Sequence, residues 1–145
     1  MSPGRLDTAV IRRHLAALER AIVELRRHAG RPIEDLRAST AETWLVERGL
    51  QLCAQNALDI ATHISAAAGL DAPDYTTAID QLATLGVVDA PFAHAFRAVA
   101  GFRNVLVHGY LEVDSKILHD VLNTRLVEFE RFAGAVRVYM TSPPP

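Results

Sequence analysis

The chain has 145 residues, enough for one domain that buries a core without disulfide or metal support. Hydrophobic residues make up 50% and charged residues 22%, which excludes an intrinsically disordered chain; a formal net charge of −2 excludes binding of polyanions through bulk positive charge, so any nucleic acid must meet a local patch or a shared surface. Cys53 is alone, Met1-Ser2-Pro3-Gly4-Arg5 lacks the apolar core of a signal peptide, and no segment is apolar for long enough to span a bilayer, so the expected location is the cytoplasm, off the membrane.

Ile11, Leu15, Leu18, Ile22, Leu25 and Ala29 recur at alternating spacings of four and three, which predicts an amphipathic helix over 6–29, stopped by Gly30 with Pro32 beyond. Arg12, Arg13, Arg20, Arg26 and Arg27 fall on its opposite, solvated side. Ser39 and Glu42 form an S-x-x-E capping box that opens a second helix over 40–68. Leu45, Leu52, Cys53, Ile60 and Ile64, with Val46, Leu50, Ala57 and Ala61, spread over a wide arc of that helix. Such a helix belongs at the centre of a bundle or at a contact between subunits. Gly69 closes it, and Pro73-Asp74 opens a short helix over 75–85 with Ile79, Leu82 and Leu85 inward. After Gly86, Asp89-Ala90-Pro91 supplies a cap and a first-turn proline for a fourth helix over 91–108, ending near Gly109. Asp114 caps a last helix whose face is Leu118, Leu122, Leu126, Phe129, Phe132, Val136 and Tyr139; the tail at 141–145 is expected to be disordered. Leu111-Glu112-Val113 is too short to count as a strand. The pattern predicts one all-α domain over 1–145, an antiparallel up-and-down helical bundle of four long helices and a short one.

The chemistry concentrates at the end of the fourth helix, in Arg103-Asn104-Val105-Leu106-Val107-His108-Gly109-Tyr110. Arginine offers a fixed fork of donors to phosphate oxygens. Histidine, with an unperturbed pKa of roughly 6.5, gives or takes a proton near neutrality. On a helical wheel Phe92, Phe96, Val99 and Leu106 gather on one side, with Arg103 and Tyr110 projecting into the same arc. Asn104, His108, Arg97 and Gly101 fall on the other. Arg103 and His108 are thus about 140° apart on an ideal helix. They converge on one ligand if the helix loosens near Gly109, if Arg103 snorkels, or if a second subunit completes the site. The plainer reading makes Arg103 a buried arginine paired with a carboxylate, His108 a cap near the helix C-terminus, and Tyr110 a core residue.

Asp59 and His63 sit four apart on one helical face, placed to reach a metal, each other, or the back of Arg103. With no third ligand evident, support of Arg103 or of the core is the preferred role. His14, His28, His94 and His119 are scattered and expected at exposed positions, Trp44 reads as packing, and Cys53 as a small hydrophobe. No P-loop, G-x-S-x-G, paired cysteines or H-E-x-x-H occurs.

Phe102 to Tyr110 resembles the R-N-x-x-x-H-x-Y signature of HEPN-domain ribonucleases, specifically the HepT toxin family. Glu47-Arg48-Gly49-Leu50-Gln51, followed by Ala57-Leu58-Asp59-Ile60-Ala61-Thr62-His63-Ile64, resembles that family's second helix. Residues 82–88 and then Ala100-Gly101-Phe102 resemble the approach to its motif. The likeness covers 41–122 in order, spacing and helix type. It implies an intracellular toxin with a HEPN-like fold that cleaves RNA, transfer or messenger, without a metal or other cofactor. It further implies a partner, an MNT-type nucleotidyltransferase antitoxin, and a homodimer or higher oligomer with a cleft between two motif helices. By the same resemblance Arg103 and His108 cut, Asn104 supports them, and Tyr110 receives AMP from the antitoxin. These residue types suit RNA cleavage, since attack by a ribose 2′-hydroxyl needs a proton acceptor, a proton donor for the leaving oxygen, and positive charge on the phosphate. AMP on Tyr110 would set a bulky anion beside both groups, by the rules that make phosphorylation a switch. Two other readings stand beside it: a HEPN-type domain that binds RNA or nucleotide, or acts as a scaffold, without cutting, and an oligomerisation module with no site.

Overall fold

A computed structural model describes residues 6–108 and 113–141, and every regular element within them is a helix. The longest, α3 (Thr40–Ala67), is the axis of the domain. Packed on it are α1 (Thr8–Arg26), α2 (Ile33–Arg37), α4 (Tyr75–Thr84), α6 (Ala98–His108), α7 (Ser115–Thr124) and α8 (Leu126–Thr141). α5 (Ala90–Phe96) packs instead on α4. The apolar arc of α3 is wide because its own chain surrounds it: Val46, Leu50, Cys53, Ala57, Ile60 and Ile64 are all buried. A subunit contact is not needed to cover them. The second turn of α3 differs, with Trp44 67% and Leu45 41% exposed, so Trp44 does not pack against the described residues as its size suggests. None of the helices among the described residues is long and apolar enough to cross a membrane.

The helix ends follow the chemistry of their caps. Ser39 Oγ accepts the Glu42 N–H at 3.1 Å, half of the expected capping box. The other half is replaced, because the Glu42 carboxylate instead accepts from His28 Nδ1 at 2.8 Å and Arg31 at 3.1 Å. This ties the end of α1 to the start of α3. Gly69 and Gly86, with φ of 78° and 79°, end α3 and α4 in Schellman turns. The closing bonds are Leu70 N–H to Ser65 O at 3.0 Å and Val87 N–H to Leu82 O at 2.9 Å.

Two of the four long helices predicted from periodicity are interrupted, and a short one appears where none is expected. The fourth splits into α5 and α6 at Arg97, where the Ala100 N–H bonds the carbonyl three residues back rather than four, at 3.1 Å. The last splits into α7 and α8 at Arg125, whose carbonyl takes the Glu128 N–H at 3.0 Å. Each break lets one continuous apolar stripe serve two neighbours: α5 meets α4 while α6 meets α3, and α7 meets α2 while α8 meets α1. α2, five residues with Leu36 buried, is too short to show a period. Thr141 belongs to α8 rather than to a loose tail, and 142–145 lie outside the described residues.

What fixes the start of α6 is an aromatic cluster. Phe96 stacks on Phe92 and Phe132, with centroids 5.1 and 4.9 Å away, and meets Phe129 edge-on at 5.7 Å. All four rings are buried. Burying each contributes ~1.5–3 kcal/mol. α6 begins two residues after this anchor and runs along α3 to the candidate site.

Candidate functional site

Arg103 leaves α6 toward α3 and α4. Its Nε–H donates to Gln55 Oε1 of α3 at 2.9 Å, and a terminal N–H donates to Asn104 Oδ1 at 3.1 Å. The guanidinium carbon lies 5.5 Å from the centre of the Tyr75 ring, at the first position of α4, a cation–π contact. Gln55 is itself held: its Nε2 donates to Asp59 Oδ1 at 2.9 Å and lies 3.3 Å from the Tyr75 phenol oxygen. Arg103 is half-buried, and among the described residues no carboxylate pairs with it. Among the described residues, then, no acid neutralises Arg103 as the plain reading expects. Its anchors are neutral, and the remaining N–H groups of its fork have no partner among the described residues.

His108 occupies the last position of α6, exposed and without a hydrogen bond to any described residue. It is not a cap. Asn104, also exposed, spends its amide oxygen on Arg103 rather than on the imidazole. Gly101, Asn104, Val105 and His108 all lie on the exposed side of α6, as the wheel requires, while Arg103 is turned into the groove between α3 and α4. Tyr110, the expected modification site, lies outside the described residues.

Asp59 and His63 diverge despite their shared face. Asp59 supports Arg103 through Gln55, whereas His63 is exposed, its ring 5.7 Å from that of His14 on α1. Among the described residues no group of three His, Cys, Asp or Glu side chains is arranged to hold a metal ion. Three of the four scattered histidines are tethers. His14 Nδ1 lies 2.8 Å from Asn56 Oδ1, His28 pairs with Glu42, and His119 Nε2 lies 2.9 Å from the Arg31 carbonyl oxygen. His94 is exposed, as expected. On the basic side of α1, Arg26 pairs with Glu130 of α8 and Arg27 with Glu24 at 3.6 Å, while Arg12, Arg13 and Arg20 stay exposed.

Gln55 and Tyr75 are the two residues missed from sequence. Gln55, Asp59 and His63 form a polar line at four-residue steps through an otherwise apolar helix, and that interruption is the signal that was available. Tyr75 carried no comparable mark. Next to it, Asp74 caps α4 by accepting the Thr77 N–H at 2.7 Å. That backbone bond and the Thr77 hydroxyl hold its carboxyl below the usual carboxylate range. Cys53 lies deep in α3, where burial pushes its thiol up to about 12 and leaves it inert at neutral pH.

Guanidinium donors that no described carboxylate takes, and an imidazole with no described partner one helix end away, can meet an anion and exchange a proton with it. The family model for ribonuclease HepT-like proteins matches residues 18–136. The mRNA nuclease HepT of Shewanella oneidensis is 29% identical over 89 residues, 61% of this chain and 67% of that protein. Among solved structures, the tri-AMPylated Shewanella oneidensis HEPN toxin in complex with its MNT antitoxin superposes with a TM-score of 0.78 at 24% identity, over 89% of this chain and 97% of that one. The cytosolic protein YutE of Bacillus subtilis superposes with a TM-score of 0.81 at 19% identity, over 97% and 96%. These two likenesses speak to the fold, and the family match spans most of the helical domain, including Arg103 and His108. The chain belongs to the ribonuclease HepT-like family.

Proposed function

We propose that this protein is the toxin of a toxin–antitoxin pair, a cytoplasmic endoribonuclease that cuts RNA without a metal. The observation that carries the reading is the state of Arg103: fixed by neutral acceptors, with N–H groups left over that no described residue takes, five residues from an exposed His108. In the reaction the ribose 2′-oxygen attacks the neighbouring phosphorus, the bond to the 5′-oxygen breaks, and one proton passes from the first oxygen to the second. His108 takes or gives that proton, and Arg103 binds the phosphate oxygens as negative charge builds on them. Asn104 holds Arg103 from the exposed side. Because one imidazole cannot face both oxygens at once, a homodimer supplying two copies of His108 across a cleft suits the chemistry. The uncovered Val105, 44% exposed beside His108, suits it too.

The Shewanella oneidensis relative is an mRNA nuclease, and the HEPN toxin of that organism is tri-AMPylated in a complex with an MNT antitoxin. Carried to this chain, the substrate class is RNA, transfer or messenger, the partner is an MNT-type nucleotidyltransferase, and the AMP acceptor is Tyr110. Incubation of total RNA with the protein in excess EDTA tests the cut. Parent protein should generate new ends, and Arg103→Ala and His108→Ala should slow them by about 10²-fold or more, the scale of a lost acid–base or charge-stabilising group. His108→Ala cutting at the parent rate ends the assignment. Co-expression with the nucleotidyltransferase should add whole AMP masses, absent in Tyr110→Phe.

The divergence of Arg103 and His108 around α6 favours a second reading, a domain that binds RNA without cutting. It predicts retention of intact RNA, lost in Arg103→Ala, with no new ends under any condition.

A further inference from the structure

The amide of Gln55 has two ends alike in shape and opposite in chemistry, and its neighbours choose between them. Asp59, an acceptor when ionised, takes the Nε2–H at 2.9 Å, and the Tyr75 oxygen lies 3.3 Å from the same nitrogen. The carbonyl end is thereby turned toward α6, where it accepts Arg103 Nε–H at 2.9 Å. Reversing the amide would set two acceptors, Oε1 and Asp59 Oδ1, against each other and two donors, Nε2 and Arg103 Nε, against each other. The Tyr75 ring beneath the guanidinium, 5.5 Å from its carbon, limits the remaining freedom to rotate.

The order of groups matters for charge. A carboxylate touching Arg103 would pair with it as a charge-assisted fork and cancel the charge a phosphate needs. Here the carboxylate stands one residue back, and a neutral amide passes on its orienting effect without its charge. From this geometry we infer that Gln55 is a positioning residue for RNA cleavage, its amide locked by Asp59 and Tyr75 so that Arg103 is aimed at the scissile phosphate while no described carboxylate neutralises it. The inference rests on the reading above, that Arg103 engages that phosphate.

The test uses the full chain and one defined RNA, with kcat, KM, a pH profile and a melting temperature for each variant. Gln55→Leu should keep its melting temperature within a few degrees and lose about 10–100-fold in kcat, the cost of a poorly aimed group. Gln55→Glu should be as impaired near neutral pH and recover part of its activity as the new carboxyl protonates at acidic pH, a limb absent from the parent profile. Tyr75→Phe, which keeps the ring, and Asp59→Asn, which keeps an acceptor, should each be milder than Gln55→Leu. Parental kcat and KM in folded Gln55→Leu, or a Gln55→Glu profile superposable on the parent's, overturns the positioning role. Should Gln55→Leu fail to fold, the Gln55→Glu profile decides. Arg103→Ala and His108→Ala run alongside. If these are dead while both Gln55 variants match the parent, the positioning inference alone fails. If these cut like the parent, the ribonuclease site itself is misassigned.

Discussion

Two glycines in the middle of helices give opposite expectations for the same substitution, and Gly49 is the sharper. A Cβ added there would lie 2.6 Å from Leu25 Cδ2 and 2.9 Å from Leu25 Cγ. Leu25 is fully buried on α1, so relieving the contact means moving the branch point of a packed side chain, not only its tip. Overpacking of this kind costs ~1–3 kcal/mol, and with three carbons of Leu25 crowded the upper half of that range applies. Replacing a mid-helix glycine by alanine returns about 1 kcal/mol of helix propensity. Gly49→Ala is thus expected to lose about 1–2 kcal/mol, a fall of about 3–7 °C in melting temperature for a domain of this size. Thermal melts followed by circular dichroism at fixed protein concentration read it directly. A variant melting at or above the parent would refute the close approach of α1 and α3 at this point.

Gly101→Ala should behave the other way: nothing among the described residues lies within 4 Å of the added Cβ, so stability should rise by about 0.5–1 kcal/mol in the same melts. Gly101 and His108 share the exposed side of α6, about 20° apart on the wheel. RNA cleavage slowed in that more stable variant would therefore mark a surface that an incoming chain approaches closely. Phe96→Ala, which empties a ring stacked on Phe92 and Phe132, should cost ~3–5 kcal/mol by chemical denaturation. Cys53 should resist a disulfide reagent in the native state at pH 8 and react fully in denaturant. Because the folded thiol ionises near 12 and an unfolded one near ~8.5, its contribution to stability is present below about pH 8.5 and lost as pH rises toward 12. Cys53→Ala should flatten that part of the alkaline stability curve. Asp74 has the opposite sign: its depressed folded pKa makes a contribution that is present above the unfolded value and lost as pH falls. Its carboxyl titration by NMR should have a midpoint below the ordinary aspartate value, moving up in Thr77→Val.

Periodicity revealed what repeats and concealed what interrupts. The buried faces of α1 and α8 can be read directly from Ile11 to Leu25 and from Leu126 to Val136, because one helix packing on one core leaves a regular stripe. Arg97 and Arg125 leave no such mark. Each break tightens the backbone for a single residue while the apolar stripe continues through it, so the sequence looks unbroken where the packing partner changes. The site was legible to the same extent. Arg103, Asn104 and His108 announce themselves by spacing within eleven residues of α6. Apart from its neighbour Asn104, the residues that hold Arg103 come from α3 and α4, forty-eight positions upstream in the case of Gln55, and no local pattern links them. The Glu42 side chain illustrates the same limit: its spacing from Ser39 predicts a local bond, and a histidine and an arginine from the preceding turn win it.

That difference in origin separates the two functional groups mechanically. Arg103 is tied to three helices at once, through Gln55, Tyr75 and its own α6 backbone, so its position follows the packing of the whole bundle. His108 stands at the end of α6, exposed and with no hydrogen bond to another described residue. Loosening the bundle, as Gly49→Ala is expected to do, should blur Arg103 and weaken the grip on phosphate throughout the reaction. Changes on the exposed side of α6, such as Gly101→Ala, should act on His108 and on the step that moves a proton. On the proposed function, a guanidinium built into the fold and an imidazole completed from outside it would form a pair assembled only when RNA, or RNA and a second copy, arrives. On that view the cleavage rate of a fixed dimer should fall in simple proportion to protein concentration. The rate of a dissociable one should fall with the square of concentration below its dissociation constant, a distinction that initial rates across a dilution series make directly.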